Sequence, residues 1–302
     1  MKKVATFPSH NKPRSMENES HGMMWVFAGL NLIFLCCAGG LFLFLIFESY
    51  PIFKLHGFDF WLGQDWWVGE AYGALPMLYG STLVTALACL LVLPLALAVA
   101  IFTSEFLTST SRRCVKAVLE LLAGVPGIVY GLLGVSFLSL WIKDVFGLLD
   151  GNTLATASCL LAIMILPTVL TLSEDAMRAV PAEYRDNALG LGLSKWQTAT
   201  AVVLPQALPG IMGAVLLGIG RAMGETIAVM LVVGSLDRIP DPWFNIFSSA
   251  QTIPSKLGRE AAAAIGEATH WSALMALGLT LFIMVLLINF IGNRFLKRQR
   301  IS

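Results

Sequence analysis

The sequence contains little charge for its length. Only 13% of its 302 residues are Asp, Glu, Lys or Arg, about half of the roughly 25% that is usual in soluble proteins. The formal net charge is +1, so the chain lacks the broad basic field of nucleic-acid-binding proteins. Hydrophobic residues make up 57% of the chain, and the mean hydropathy is +0.75. These values exclude an ordinary soluble domain and indicate a membrane protein.

The sequence also lacks the motifs that mark several kinds of chemistry. It has no G-x-x-x-x-G-K-[ST] segment, and therefore no phosphate-binding loop for ATP, and it has no H-E-x-x-H motif. No histidine lies within a long apolar run to activate Ser136, which argues against an intramembrane protease. The chain is therefore predicted to hold no catalytic residue and no metal, and not to be an enzyme.

Cysteine and histidine are sparse and irregularly spaced. The cysteines show neither a disulfide framework nor zinc-site spacing, and we interpret them as small buried hydrophobic residues: Cys36, Cys37, Cys89, Cys114 and Cys159. The histidines lie outside the apolar runs or at an edge and are expected to be solvated: His10, His21, His56 and His270.

Long uncharged runs dominate what is present. Residues 23–47, 71–104, 151–173 and 271–293 carry no charge, and residues 117–142 and 206–236 carry only Glu120, Arg221 and Glu225. Each run is long enough for a membrane-spanning helix, which needs about 20 apolar residues. An all-α membrane protein with six transmembrane helices is predicted, because lipid offers no partner to the backbone polar groups of an open segment.

Basic residues predict the orientation and the domain limits. They cluster in residues 2–14, 112–116, 178–195 and 297–300, which fall on one side if all six runs span, so both termini are expected in the cytoplasm. The predicted order is a disordered cytoplasmic tail (1–22), the first transmembrane helix (23–47), an outer loop (48–70), a core of five transmembrane helices (71–296) with an inner loop (174–206), and a cytoplasmic tail (297–302).

The inner loop is too long for a tight turn and too regular for a flexible linker. Pro181 and Glu183 suit the start of a helix, Gly190 and Gly192 would end it, and a second helix would stop before Pro205. Two short helices at an angle would form a docking element. The alternative is an amphipathic segment that lies on the membrane surface, and the pattern alone does not choose between them.

Arg221 and Glu225 are the most unusual residues of the apolar runs. They are four residues apart, so on one helix they would stand one turn apart. Ionisable groups inside a membrane are costly and mark function. The planar fork of arginine binds the oxygens of an oxyanion through two hydrogen bonds and keeps its charge, and Glu225 would neutralise it while no anion is bound. The alternative is a salt bridge that only fixes helix packing.

Three further residues of the apolar runs carry predictions. Gly220 and Gly224 are expected to bring this helix close to a facing one, the matching helix of a second subunit. Glu120 is placed in the first turn of the third transmembrane helix, where a carboxylate is favourable for electrostatic reasons alone.

The inner loop carries a recognisable signature. The segment “DNALGLGLSKWQTATAVVLP” resembles the EAA-G-I-LP signature of permease subunits in binding-protein-dependent ABC importers. The residues that occupy its positions are Asp186, Asn187 and Ala188 (EAA), Gly192 (G), Val202 (I), and Leu204 and Pro205 (LP). Asp186 and Asn187 depart from the consensus letters. “LELLAGVPGIVYGLLG” and “LLGIGRAMGETIAV” are similar to the PstC-type permeases of phosphate-specific transporters, and this resemblance runs from about residue 70 to the end.

The resemblance implies a type I ABC importer permease in the bacterial inner membrane that forms half of a pathway for inorganic phosphate. It implies a homologous second permease (PstA-type), two copies of an ATPase subunit (PstB-type) that bind ATP and Mg²⁺, and a periplasmic phosphate-binding protein (PstS-type), with no cofactor on this chain. The inner loop would sit in a cleft of the ATPase through Glu183, Asp186, Asn187, Ala188, Gly190, Gly192, Leu204 and Pro205. Sulfate, molybdate or, in another class, an ion-coupled carrier are the alternatives.

Overall fold

The computed structural model describes the backbone of residues 14–299 and the side chains of residues 24–294. Its first half contains α1 (Arg14–His56), α2 (Asp59–Leu62), β1 (Trp66–Trp67), β2 (Ala71–Tyr72), α3 (Leu75–Ile101), α4 (Ser109–Ala123), α5 (Gly127–Leu133) and α6 (Leu140–Phe146). Its second half contains α7 (Leu154–Arg178), α8 (Ala182–Gly190), α9 (Lys195–Gln197), α10 (Leu204–Met223), α11 (Ile227–Val232), α12 (Ile253–Glu260) and α13 (Ala268–Gln299). Widened π-helical turns occupy Phe102–Phe106, Gly134–Ser139 and Thr198–Val203. β1 and β2 pair as an antiparallel hairpin, with Trp66 opposite Tyr72.

Six helical segments of the described residues are long and apolar enough to cross a membrane, which confirms the predicted number. They are Met24–His56, Leu75–Phe106, Gly127–Phe146, Leu154–Arg178, Lys195–Met223 and Ala268–Arg294. We call the side that carries the turn between α7 and α9 the inner side, since it is expected to face the cytoplasm, and the opposite side the outer side.

Both predicted tails and the outer loop are shorter than expected. Residues 14–22 belong to α1, and residues 297–299 belong to α13. Residues 1–13 and 300–302 lie outside the described residues. At the outer side, α1 continues through Pro51 to His56 because Ile52 is buried in a cluster with Phe60, Trp66 and Tyr72. Burial of Ile52 therefore extends α1 beyond the limit that the charge of Glu48 suggested.

The chain divides into two compact units, residues 1–47 and residues 48–302. In the first unit, the described side chains of α1 are apolar and almost all exposed, as on a helix that faces lipid. The second unit contains the remaining helices and the buried clusters.

The core of the second unit is built where α3 packs along α7. Buried residues of α3 recur every four positions, on one face of the helix: Val84, Ala88, Val92, Ala96 and Ala100. Small side chains let two helices approach closely in a membrane, where van der Waals packing drives their association. The opposite face of α3 exposes Leu90, Leu91 and Leu95, and lipid is the natural neighbour for these side chains.

α10 packs on the other side of α7, and glycine determines how closely. A Cβ atom at Gly210 would lie 2.6 Å from Ala176 Cβ, and one at Gly218 would lie 2.6 Å from Val169 Cγ2. At Gly220 no atom of the described chain lies within 4 Å of such a Cβ atom, so the expected approach of this helix to one in a second subunit stays a prediction. The close approach within the chain uses the glycines that face α7.

The third span is broken where the sequence predicted one continuous helix. α4 ends just before Gly124, and a new helix begins at Gly127. Pro126 lies between them, and it lacks a backbone N–H and restricts the conformation of the residue before it. Glu120 is exposed near the end of α4, so its predicted place in the first turn of the third span is wrong. The predicted position of Glu120 was wrong because a Gly-x-Pro break does not change the hydropathy of an apolar run.

Burial of the cysteines was predicted wrongly for three of the five. Cys36, Cys37 and Cys114 are exposed, and Cys89 and Cys159 are partly buried. Because lipid is itself an apolar surrounding, a hydrophobic residue of a membrane helix need not face the protein core.

The orientation is tested by single cysteines in a chain whose five native cysteines are replaced with alanine. Val68 lies in the exposed hairpin turn and Leu191 in the exposed inner turn. We expect Val68→Cys to react with a membrane-impermeant maleimide in whole spheroplasts, and Leu191→Cys to react only after the membrane is opened, because basic loops stay in the cytoplasm. Labelling of Leu191→Cys in closed spheroplasts would reverse the assigned orientation.

Candidate functional site

The fifth span is interrupted at the residues that carry charge. α10 ends at Met223 and α11 begins at Ile227, so Arg221 and Glu225 do not stand one turn apart on a single helix, as the sequence predicted. Glu225 lies in the break and caps the next helix, since its Oε1 accepts a hydrogen bond from the Ala228 backbone N–H at 3.3 Å. A carboxylate at this position stabilises the positive end of the helix that follows.

Glu225 also lies against the break in the third span. A Cβ atom at Gly127, the first residue of α5, would come within 2.9 Å of Glu225 Oε1. The carboxylate therefore lies against the start of α5. The two helix breaks therefore meet at one carboxylate, beside a small cavity lined by Ser81, Thr85 and Thr252 together with apolar residues.

Arg221 occupies the last turn of α10 and is exposed on the described chain. Its Nη1 donates to Thr168 Oγ1 of α7 at 3.4 Å. No carboxylate of the described side chains lies within 4.0 Å of its guanidinium. The expected ion pair with Glu225 is thus absent from this conformation, and the arginine has no ion-pair partner among the described side chains.

The inner loop folds into the helix, turn and helix that were predicted for it. α8 ends at Gly190, and Gly192 turns the chain with a φ of +86°, a conformation that side chains with a Cβ atom rarely adopt. The Ser194 side chain then accepts a hydrogen bond from the Gln197 backbone N–H, and the Gln197 side chain accepts one from Ser194, so a capping box starts the next helix.

Two limits of this loop differ from the prediction. α7 continues to Arg178, so Glu174 belongs to the fourth span and not to the loop. The second helix does not stop before Pro205, because the π-helical turn of Thr198–Val203 joins α9 to α10 and the span runs unbroken from Lys195 to Met223. A widened turn shifts the hydrogen-bonding register of the helix. Pro205, which has no backbone N–H to donate, can therefore lie in the first turn of α10.

The predicted coupling residues mostly lie at the surface of this loop. Ala188 of α8 is buried, and Leu204 is partly buried. The others are exposed: Glu183, Asp186, Asn187, Gly190, Gly192 and Pro205. Large apolar side chains accompany them. Leu191 is 82% exposed and Trp196 is 59% exposed, and Tyr184 and Leu189 are also exposed. Such a concentration of apolar surface on a short loop is typical of a binding surface.

Sequence reasoning missed Arg185, which holds α8 in place. Its Nε and Nη2 donate to Oε2 and Oε1 of Glu105 at 3.0 and 2.8 Å, so the pair is bidentate. Its Nη1 and Nη2 also donate to the backbone oxygens of Val180 and Met177 at 2.7 and 2.8 Å. The hydrogen bonds with Glu105 raise the pKa of Arg185. The two residues are 80 positions apart, and no periodicity in the sequence connects them.

A second ion cluster lies beside this pair on the inner side. Glu174 of α7 is only 3% exposed. It has Arg112, Lys116 and Arg178 within 3.6 to 3.9 Å. Lys116 also contacts Asp175 at 2.5 Å, and this hydrogen bond raises the pKa of the Lys116 ammonium. The cluster ties α4 to α7.

The outer side contains an ion cluster that sequence reasoning also missed. Lys256 is 2% exposed and pairs with Asp237 and with Glu260, the latter at 2.6 Å. Glu260 Oε2 also contacts His270 Nε2 at 3.0 Å and accepts a hydrogen bond from Trp66 Nε1 at 3.2 Å. His270 is buried, so its predicted solvation is wrong. Its place at the start of a span gave no indication of the acidic residue ten positions earlier in the chain.

The outer ion cluster predicts a pH dependence of stability. Burial acts to raise the pKa of Glu260, but hydrogen bonds and positive charge from Lys256 and His270 outweigh it and lower that pKa. A lowered pKa stabilises the fold above the ordinary glutamate value, about 4.3, and this stability is lost as the pH falls through the lowered value. We expect the Tm of the purified chain to drop on acidification below about pH 4.3, and Glu260→Gln to flatten that drop and to lower the Tm at neutral pH.

The matched control for this prediction is Glu120→Gln, which removes an exposed carboxylate. It should leave the acid-induced drop in Tm unchanged. An equal drop in Tm for Glu260→Gln and the unsubstituted chain, measured by Trp fluorescence, would contradict the assignment to the outer cluster.

Residues 92–300 match the family of binding-protein-dependent transport system inner membrane components. The chain belongs to this family. It is therefore a membrane component of a transport system and a multi-pass protein of the inner membrane, and members of this family that are ABC transporter permeases are not themselves enzymes. The matched segment contains both helix breaks and the whole inner loop.

Relatives of known name cover most of the chain. It is 34% identical to the phosphate transport system permease protein PstC of Mesorhizobium japonicum, with 88% of this chain and 86% of that protein aligned. It is 35% identical to the PstC protein of Pasteurella multocida, with 84% of each aligned. It is 32% identical to the probable ABC transporter permease protein YqgH of Bacillus subtilis, with 92% of each aligned.

Solved ABC importers share the fold at low sequence identity. A chain of a bacterial alginate ABC transporter in complex with its periplasmic protein superposes with a TM-score of 0.64 at 14% identity, covering 94% of this chain and 96% of that one. A chain of the inward-facing MetNI methionine ABC transporter superposes with a TM-score of 0.57 at 18% identity, covering 75% and 94%. The type I importer permease fold is thus confirmed.

Proposed function

We propose that this chain is one of two homologous permease subunits of an ATP-driven importer for inorganic phosphate. The observation that carries the proposal is the similarity of more than four fifths of the chain to permeases named for phosphate transport. Its partners in the proposal are a PstA-type permease, two PstB-type ATPase subunits that bind ATP and Mg²⁺, and a periplasmic PstS-type phosphate-binding protein. No cofactor is assigned to this chain.

In this proposal Arg221 is the phosphate-interacting group of the chain. Its guanidinium has only the Thr168 hydroxyl as a side-chain partner among the described residues, and an arginine in a membrane span is expensive unless it has a function. Thr168 orients one side of the planar fork. The remaining N–H groups face the surface of the chain, where the second permease would complete the pathway.

Glu225 limits how long an anion stays. It lies within four residues of Arg221 along the chain and at the junction of two helix starts. The positive ends of these helices would by themselves favour an anion. A fixed carboxylate already satisfies them and repels phosphate that would otherwise bind too tightly, so the site passes the anion on.

The inner loop is the proposed contact with the ATPase. Its exposed apolar residues, Leu191 and Trp196 above all, would fill a cleft, while Glu183 and Asp186 supply negative charge at the rim. This arrangement favours a docking element over a segment that lies on the membrane surface, because Leu191 stands on a tight turn and not on the apolar face of a helix.

The experiment is uptake by proteoliposomes that contain the co-purified complex. We expect radiolabelled phosphate to accumulate with ATP and the binding protein and without an ion gradient, and sulfate and molybdate not to compete. Accumulation driven by an ion gradient alone would support a secondary carrier instead. Competition by sulfate or molybdate at equal concentration would assign the site to another tetrahedral oxyanion.

A further inference from the structure

Arg185 joins three separate elements at the inner side. It belongs to α8, and its ion-pair partner Glu105 lies at the inner end of the second span. Its carbonyl acceptors are Met177, in the last turn of the fourth span, and Val180, two residues beyond that span. All three nitrogens of the guanidinium are occupied. The side chains of Arg185 and Glu105 are mostly buried, at 22% and 10% exposure, so water screens the pair less than it would screen a surface salt bridge.

The acceptors of Arg185 are groups that need a partner. The last carbonyls of a helix have no donor within the helix, and a cation near them is favourable. Arg185 places its positive charge at this helix end, where it donates to the carbonyl of Met177 in the last turn of α7 and to that of Val180, two residues beyond the helix. Ser104 holds the other side of the pair in place, because its hydroxyl donates to Glu105 Oε1 at 2.8 Å.

The inner end of the second span is also held from its other side. Arg112, near the start of α4, donates to the backbone oxygens of Thr103, Ser104 and Leu107 at 2.9 to 3.1 Å. α4 leads through the Gly-x-Pro break into α5, whose first residue contacts Glu225. The inner end of the second span is thus bonded to α8 on one side and to α4 on the other. α4 is the helix that leads, through α5, to the proposed anion site.

We propose that the Arg185–Glu105 pair is the joint that passes movement of α8 to the second and fourth spans, so that Arg185 is a positioning residue for transport. The proposal rests on the proposed function, in which the ATPase moves α8. A bidentate fork with two further carbonyl bonds keeps α8 in one orientation relative to both spans, which a single-point contact does not do. Without the pair, α8 still docks on the ATPase, but its movement is no longer transferred in full.

The test measures phosphate transported per ATP hydrolysed in proteoliposomes that contain the whole importer and the binding protein. For Arg185→Gln and for Glu105→Gln we expect this ratio to fall at least about fivefold, the lower range of coupling between sites, while ATP hydrolysis continues. Arg185→Lys should recover part of the ratio, since an ammonium keeps the charge and loses the fork. The double substitution should be no worse than the more severe single one, because each removes the same joint.

The matched control is Arg113→Gln, since Arg113 is exposed and bonds only the Ser109 carbonyl of its own helix in the described structure. It should leave the ratio unchanged. An unchanged ratio in Arg185→Gln, or a double substitution whose loss equals the product of the two single losses, overturns the proposal. Failure of every variant to assemble, Arg185→Lys included, would also overturn it, because the pair would then be needed for folding. Absence of phosphate uptake by the unsubstituted importer would instead reject the proposed function.

Discussion

Replacing Arg221 with glutamine is expected to lower ATP-dependent phosphate uptake by at least about thirtyfold, the loss that accompanies removal of one partner from a close charge pair. Glutamine retains a similar length and one amide donor but has neither the charge nor the fork that binds two phosphate oxygens. Because Arg221 is exposed and makes no ion pair among the described residues, assembly of the importer should not change. The measurement is initial uptake of radiolabelled phosphate by proteoliposomes, with assembly checked by co-purification of the ATPase.

Two conservative substitutions refine this prediction. Arg221→Lys keeps the charge and should lose less uptake than Arg221→Gln, since an ammonium contacts phosphate as a point charge. Thr168→Val removes the hydroxyl that contacts Nη1 and should have a smaller effect still. Normal uptake by Arg221→Gln would defeat the proposed transport role and leave packing as the function of this arginine.

Replacing Glu225 with glutamine is expected to slow phosphate release more than phosphate binding. The amide oxygen can still accept the hydrogen bond from the Ala228 N–H, so the cap of α11 should survive. The negative charge that opposes a bound anion is lost. We expect the variant complex to retain radiolabelled phosphate during gel filtration and to transport it more slowly. A complex that retains no more phosphate than the unsubstituted importer would reject the role given to Glu225.

Replacing Gly192 with valine is expected to reduce phosphate uptake by about tenfold or more while the chain still inserts in the membrane. The φ of +86° at this position costs a residue with a Cβ atom about 1 to 2 kcal/mol, and a β-branched residue is least suited to it. A new Cβ atom would meet no neighbour within 4 Å, so the effect comes from the backbone and not from a clash. The turn would relax, and α8 and Leu191 would no longer present one surface to the ATPase.

The matched control is Gly266→Val on the outer side. Gly266 has a φ of +96°, and a Cβ atom there also meets no neighbour within 4 Å. The two substitutions impose the same kind of backbone strain, so a difference in ATPase co-purification or in uptake measures what the inner turn contributes. Equal effects of the two substitutions would show that strain alone lowers uptake and that the turn has no special part in coupling.

The sequence alone predicted the number of spans and the helix–turn–helix form of the inner loop. Both depend on local properties: an apolar run of sufficient length must span, and glycine between two helical segments must turn the chain. The ends of the helices were less well predicted. α1 continues to His56, and the fifth span continues through Pro205, because packing of Ile52 in the first case and a widened turn in the second overcame the local signals.

The residues of the proposed anion site come from the sequence, and their geometry comes from the structure. Arg221 and Glu225 stood out because a charge in an apolar run is rare. Their spacing suggested one helix, but the chain breaks at Gly224, and Glu225 turns toward Ala228 and Gly127. Glycine occurs in continuous membrane helices as well as at breaks, so only the contact with another broken span shows which of the two is present.

What the sequence by itself determined is a membrane protein with six spans, an inner loop with a docking signature, and two charged residues inside the fifth apolar run. The tertiary structure decided which charges meet: Arg185 with Glu105, Glu174 with three basic residues, and Glu260 with Lys256 and His270. The physical reason is that hydropathy and helix propensity act over a few turns of one segment. Ion pairs and helix caps between segments depend on which faces pack together.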